Sequence, residues 1–369
     1  MSNGRRSLIY LGWQGNDNFG DELLYDSWRA ALHDRLEVTA PLTLGRYLVK
    51  EAGKYARART RLAGRERLVL LGGGTTIGFR TWAEHTRLAR RMFGASGTLV
   101  PGAGAAERGD RFLLSRQPHD WAAWKREPDV ALFGVRGPLT ALECSDQWEP
   151  TAVLGDPALL YPRHVDVTSS PLNTVGLCLG SEGTSRFDVA EVARTVRGVA
   201  TELGATVTVF EVTSADRPVT DALRDLLGAD TRVVGFDGDV RAMMTEIARC
   251  RLMVSERLHG VVAAVAAGVP AVPLAYASKC DDFWLSVAGV RAAIKPGVSG
   301  DRLAAELRQS LDSERSARIG ASVQRLGDAL DRSADAIRLW MAGGLPTEEL
   351  LRMRAADFGA VSAAELTSD

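Results

Sequence analysis

The sequence predicts an α/β protein with two parallel-sheet domains, and three observations carry that prediction. Strand, Gly-rich turn and helix repeat in that order along most of the chain. Its 369 residues exceed what one ordinary core holds, so two domains are expected. A composition of 46% hydrophobic and 25% charged residues is that of a soluble globular protein.

The first strand is SLIYLGW, and GNDNFGDELLYDSWRAALHD follows it as a loop running into an amphipathic helix. Gly15 and Gly20 permit close backbone approach, while Asn16, Asp17, Asn18, Asp21 and Glu22 crowd polar groups at the helix start. The loop has neither the GxGxxG spacing nor the Lys-Ser/Thr pair of nucleotide-binding turns. Capping accounts for one or two of these five side chains, so binding of an acceptor molecule or catalysis competes as an account of the rest. Residues 50–67, KEAGKYARARTRLAGRER, are strongly basic and read as a solvated helix or surface loop that could also attract an acidic substrate.

RLVLLGGGTTIG gives a strand ending in a triple glycine, Gly72 to Gly74. Each glycine raises the entropic cost of ordering, so three in a row imply that a ligand or another loop touches the backbone. TWAEHTRLARRMF reads as a helix, GTLVPGAGAAE as strand and turn, and RFLLSRQPHDWAAWKREPD as further helical material. VALFGVRGPLTALECS is another strand, turn and helix, with Arg136 in the turn and Pro138 near the first helical position. AVLGDPALLYP reads as a strand with a Gly-Asp-Pro stop. Tyr161 to Asn173 is polar and twice interrupted by proline, which marks a linker.

The second half repeats the architecture. TVGLCLG, TVTVFEV, TRVVGF, RLMV and AVPLAY are its strands, separated by helical segments. Its most informative stretch is Ser255 to Tyr276, SERLHGVVAAVAAGVPAVPLAY. The helix begins near His259 or Gly260, Gly268 can end it and Pro270 forbids its continuation. Glu256, Arg257 and His259 therefore stand where the chain leaves a sheet, the edge at which open α/β sheets bind ligands. A helix start and Arg257 both favour an anion there. The competing account is that Arg257 pairs with a nearby carboxylate and His259 caps the helix. Lys279 follows the next strand on the same edge. A long amphipathic helix is expected from about Glu314 to Met341, then a short helix and tail.

Composition bounds the partners. Net charge is −1, from 45 basic and 46 acidic residues, so any anion preference is local and nothing global favours nucleic acid. Cys144, Cys178, Cys250 and Cys280 make no CxxC pair and read as buried thiols of a reducing compartment. Five scattered histidines give no metal-ligand spacing, so no metal and no cofactor is expected. No apolar run reaches membrane-spanning length, which points to a cytoplasmic protein with contact at the inner membrane face left open.

Five segments, GNDNFGDELL, LLGGG, VRGPLT, GDPALL and SERLHGVVAAVAAGVPAVPLAYASK, occur in the order of the polysaccharide pyruvyl transferase family, which this chain resembles from Gly15 to Lys279. The resemblance implies two Rossmann-like domains facing across a cleft, GT-B-like, with C-terminal helices. Residues 1–165 would form the acceptor-side domain, with Arg136 reaching the donor. Residues 166–313 would form the phosphoenolpyruvate domain, and residues 314–369 the C-terminal helices and tail. It further implies transfer of a pyruvyl group from phosphoenolpyruvate to a sugar of a cell-surface polysaccharide or its precursor, as a ketal, with release of phosphate.

In the family's pattern Arg136, Arg257, Leu258 and His259 fall at donor positions. Lys279 and the backbone of Gly73 and Gly74 are added to that side, and Asn16, Asp17, Asn18 and Glu22 are placed with a glycan or lipid-linked acceptor. His259 is the candidate general acid and Asp21 the candidate base, with Glu22 or Asp17 as substitutes; Glu256 receives no catalytic role. Two alternatives stay open, a GT-B glycosyltransferase using a nucleotide sugar and a non-catalytic carbohydrate-binding or assembly subunit.

Overall fold

The computed structural model describes residues 6–36, 38–40, 46–110, 119–148, 152–167, 170–181 and 183–366, with the side chains of 46–51 left aside. The start of the RFLLSRQPHDWAAWKREPD segment and two residues of the linker lie outside them.

The first sheet contains β1 (Arg6–Leu11), β2 (Val38–Thr39), β3 (Glu66–Leu71), β4 (Gly97–Ala103) and β5 (Val130–Val135), in the order β2-β1-β3-β4-β5. The second contains β6 (Thr174–Cys178), β7 (Thr206–Glu211), β8 (Arg232–Gly235), β9 (Leu252–Ser255) and β10 (Ala271–Pro273), in the order β10-β9-β6-β7-β8. Every pairing within both sheets is parallel. Strands buried on both faces carry continuous apolar runs, and β4 and β6 are buried at every position. Strand order reverses between β1 and β3 in the first sheet and between β6 and β9 in the second, and such switch points open a crevice at the carboxyl ends of the strands.

One strand expectation fails. AVLG does not form a strand: Val153 makes only isolated bridges, parallel to Val135 and antiparallel to Val361. The chain then turns into a short 3-10 helix, Pro157–Leu160, where Asp156 Oδ1 accepts from the Ala158 N–H at 3.0 Å. The first sheet is completed instead by the two-residue β2, too short to show an alternating or apolar pattern. The basic segment forms the helix Arg46–Arg61, and the long helix runs Ser313–Met341.

The chain separates into two compact units. The first comprises Met1–Trp13, Leu24–Leu160 and Leu326–Asp369, the second Gln14–Leu23 and Tyr161–Arg325. These boundaries depart from a simple division by sequence at two places. The Gly15–Glu22 loop belongs to the second unit because its backbone is tied there: Phe19 N donates to Val212 O at 2.9 Å and Asn18 bridges Thr213. The end of the chain belongs to the first unit. Arg6 Nη1 donates to the carbonyls of Trp340 (2.7 Å) and Leu345 (2.5 Å), Phe358 stacks on Phe133, and Val361 bridges Val153. All four cysteines are buried free thiols.

Candidate functional site

In the second unit the carboxyl ends of β6 and β9 lie at the switch point, and the SERLHG block leaves the sheet there. Glu256 N–H donates to Cys178 O at 2.8 Å, joining the two strand ends. The Glu256 side chain is fully buried and its carboxylate accepts from Gly180 N (2.9 Å), Ser185 Oγ (2.8 Å) and Arg186 N (2.8 Å). It therefore shapes the loop after β6, which gives a structural reason for its place inside the block.

Arg257 is the N-cap of the helix Leu258–Ala266 and its side chain binds Asp216. Nε meets Oδ2 at 2.8 Å and Nη2 meets Oδ1, the bidentate geometry that suits a guanidinium fork. Pairing with a carboxylate is thus what the structure shows for this residue. The engagement uses one edge of the fork, leaving Nη1 without a hydrogen bond among the described residues and 17% of the side chain exposed. Burial works against the Arg257 charge, but the Asp216 hydrogen bonds outweigh it and raise its pKa. Burial pushes the Asp216 carboxyl up, against the lowering pull of Arg257.

Asp216 was missed in the sequence because it stands just before a helix with Pro218, where an aspartate reads as a cap. Its side chain makes no cap bond. It rests instead on Gly180, where a Cβ would lie 2.2 Å from Oδ1.

The Gly15–Glu22 loop presents its helix start to the same corner. Much of its polar crowding is internal: Asn18 Oδ1 accepts from Gly20 N at 3.0 Å, Glu22 accepts from Gly15 N, and Asp17 Oδ2 accepts from Ser214 N at 3.4 Å. Asn16 is exposed and Asn16 Nδ2 donates to Gln14 O at 3.3 Å. Asp21 differs from all of these. No hydrogen bond or ion pair engages its side chain among the described residues, and burial raises its carboxyl to about 7, opposed by the charge of Lys279, assisted by Glu22 and opposed again by Arg257.

His259 completes the corner. Its imidazole lies on the backbone of Gly20, where a Cβ would fall 2.2 Å from Nδ1. Two of the segments that carry the family resemblance, Gly15–Glu22 and SERLHG, thus meet physically: Gly20 is small because His259 occupies the space. Leu258 is buried, and Lys279, in the first turn of the helix Ser278–Ala288, holds its ammonium 5.2 Å from the Tyr276 ring.

In the first unit, Arg136 follows β5 and is wholly buried. Its Nη1 donates to Thr75 Oγ1 at 3.0 Å, and its guanidinium covers Gly104, where a Cβ would lie 2.5 Å from Cζ. The triple glycine behaves similarly. Gly72 lies under the Tyr10 ring, with a Cβ 2.2 Å from Cε2, while Gly73 and Gly74 have φ of 128° and 76°. Part of that glycine requirement therefore comes from a tyrosine and from left-handed backbone, not from a ligand. Thr75, the partner of Arg136, carried no signal in the sequence beyond its position after the glycines.

Two measurements check this geometry. Gly20→Ala places a Cβ 2.2 Å from Nδ1 and 2.7 Å from Cγ of His259 and forces the imidazole to move. The His259 ring-nitrogen resonances therefore shift in NMR and the thermal midpoint falls, because an overpacking cost of about 1–3 kcal/mol exceeds the helix preference of Ala. Unchanged resonances contradict the packing. For Asp21 the folded-state pKa lies above the unfolded value of 3.8, so the folded chain binds more protons between there and about 7. Stability therefore falls as pH rises through that window. Asp21→Asn removes the fall: by urea unfolding the variant exceeds the parent at about pH 8 and matches it at about pH 4. Equal midpoints at both pH values contradict the shift.

The chain is similar in fold to several solved enzymes. The UDP complex of MnaA from S. aureus superposes with a TM-score of 0.58 at 10% identity, covering 92% of this chain and 98% of that one. The UDP-GlcNAc 2-epimerase of Neisseria meningitidis bound to UDP-GlcNAc gives 0.56 at 10% identity, covering 89% and 98%. CalG4, the calicheamicin glycosyltransferase, gives 0.50 at 15% identity, covering 94% and 100%. These likenesses establish a GT-B-type fold of two parallel five-stranded sheets with helices. No curated protein matches in sequence. The family model described as polysaccharide pyruvyl transferase matches residues 18–278, more than half of the chain, and the chain belongs to that family of transferases.

Proposed function

We propose that the protein transfers the pyruvyl group of phosphoenolpyruvate to two hydroxyls of a sugar, forming a ketal and releasing phosphate. The observation that carries this reading is the second-unit corner, where a raised carboxyl, Asp21, feels the cations Lys279 and Arg257 and a histidine packs on the adjacent residue. A donor with a phosphate at one end and a carboxylate at the other matches two cations and a helix start.

In this mechanism Arg257, through Nη1, Lys279 and the first turn of the helix Leu258–Ala266 hold the donor's anionic groups. Imidazolium His259 gives a proton to C3 of the enol, which leaves C2 electrophilic. A sugar hydroxyl oxygen bonds to C2 and loses its proton to Asp21, a base poised by its raised pKa near neutral pH. The C2–O bond to phosphorus-bearing oxygen breaks, phosphate departs with the electron pair, and the second hydroxyl closes the ketal as it loses its own proton. One hydroxyl proton replaces the one His259 gave, and the other leaves with phosphate. Arg136 is assigned to the donor by family likeness alone, and Gly73 and Gly74 by the open backbone of the triple glycine. Asn16, Asp17, Asn18 and Glu22 are assigned to a glycan or lipid-linked acceptor, with Asp17, Asn18 and Glu22 acting through the loop shape they hold.

Several structural neighbours bind UDP or UDP-sugars, which makes nucleotide-sugar transfer the competing reading. One assay separates them. Incubation with phosphoenolpyruvate and a panel of glycans, followed by phosphate release and acceptor mass, is expected to give acceptor-dependent phosphate and the mass gain of a pyruvate ketal. Turnover with a UDP-sugar as sole donor, and none with phosphoenolpyruvate, contradicts the proposal.

A further inference from the structure

The basic segment takes no part in the corner described above. Between residues 46 and 67 there are eight Lys or Arg against two Asp or Glu, in a chain of formal net charge −1. The helix Arg46–Arg61 buries one row on the first unit's core: Tyr55 and Ala58 pack against it, and Leu62 continues the row. Lys54, Arg57 and Arg61 recur at i, i+3 and i+7 and are exposed, so they form a second row along the helix. Arg57 makes no hydrogen bond or ion pair among the described residues. Arg80, Arg87 and Arg90 of the following helix, Arg80–Phe93, differ from Arg57 in pairing with Glu84, Glu127 and Asp129.

We propose that this row docks the protein on an anionic phospholipid surface. The row is straight and about 10 Å long, at 1.5 Å per residue, and presents long cationic side chains outward from a helix, the complement of a flat layer of phosphate headgroups. Single-stranded nucleic acid is a poorer match, because its binding sites interleave aromatic side chains with cations, and between Lys54 and Arg61 the one aromatic, Tyr55, is packed on the core. Along the row, Tyr55, Ala58 and Leu62 are likewise occupied by the core, so attachment through Lys54, Arg57 and Arg61 is electrostatic rather than insertional. No helix among the described residues is long and apolar enough to cross a membrane. Three cations at a charged surface strengthen binding on the order of a hundredfold. This inference does not depend on the chemistry proposed for the second unit.

The test uses the full chain and vesicle sedimentation. The protein is expected to bind vesicles of phosphatidylcholine with phosphatidylglycerol at low salt, not those of phosphatidylcholine alone, and to detach at about 0.5 M salt, where screening is short-ranged. The double variant Lys54→Glu, Arg57→Glu is expected to bind at least about 30-fold more weakly with an unchanged thermal midpoint. Absence of binding to phosphatidylglycerol at low salt, equal binding to neutral vesicles, or undiminished binding by the double variant each overturns the proposal. So does tighter retention on duplex DNA or an acidic polysaccharide under the same conditions.

Discussion

The ion pair between Asp216 and Arg257 is the constraint on which the second unit's corner depends. Both groups are largely withdrawn from water, and removing one partner of such a pair typically costs about 3–5 kcal/mol because the other charge is left uncompensated. The pair also fixes which edge of the guanidinium remains available, since Nε and Nη2 are taken and Nη1 has no hydrogen bond among the described residues. The orientation of Arg257, proposed above to hold the donor, is thereby set before any ligand arrives, which would lower the ordering cost of binding. Gly180 admits Asp216 and Glu256 fixes the loop that carries Gly180, so the arrangement traces back to three residues at one sheet edge.

A second regularity runs through both units. Gly20 carries His259, Gly180 carries Asp216, Gly104 carries Arg136, and Gly72 carries Tyr10, each at a distance a Cβ could not tolerate. The polar side chains at the sheet edges are located by the absence of neighbouring side chains as much as by hydrogen bonds. Conformational freedom is needed at Gly73 and Gly74, where φ is positive, but not at Gly20, whose role is space.

The sequence made the second sheet legible in full because β6, β8, β9 and β10 are short, largely apolar runs and β7 alternates, each bounded by turn residues or a helix. In the first sheet it mistook AVLG for a strand, since an apolar run cannot show that Asp156 and Pro157 will divert it, and it passed over Val38–Thr39, which is too short for any periodicity. Arg257, His259 and Asp21 were visible by residue type and position. Asp216 was not, because its partner lies 41 residues away and its local setting imitates a helix cap. The allegiance of Gly15–Glu22 to the second unit was hidden for the same reason: the bonds that decide it, to Val212 and Thr213, are remote in sequence.

The most direct test of the account is the affinity of phosphoenolpyruvate, measured by calorimetry, for the parent chain and for Asp216→Asn, with Asp216→Glu as the charge-retaining control. If Asp216 positions Arg257 for the donor, the Asn variant binds at least about tenfold more weakly, a loss of about 1.4 kcal/mol, and the Glu variant recovers part of it. Equal or tighter binding by Asp216→Asn, in a variant that keeps its circular dichroism spectrum, contradicts the account and makes Asp216 a competitor for the donor's place.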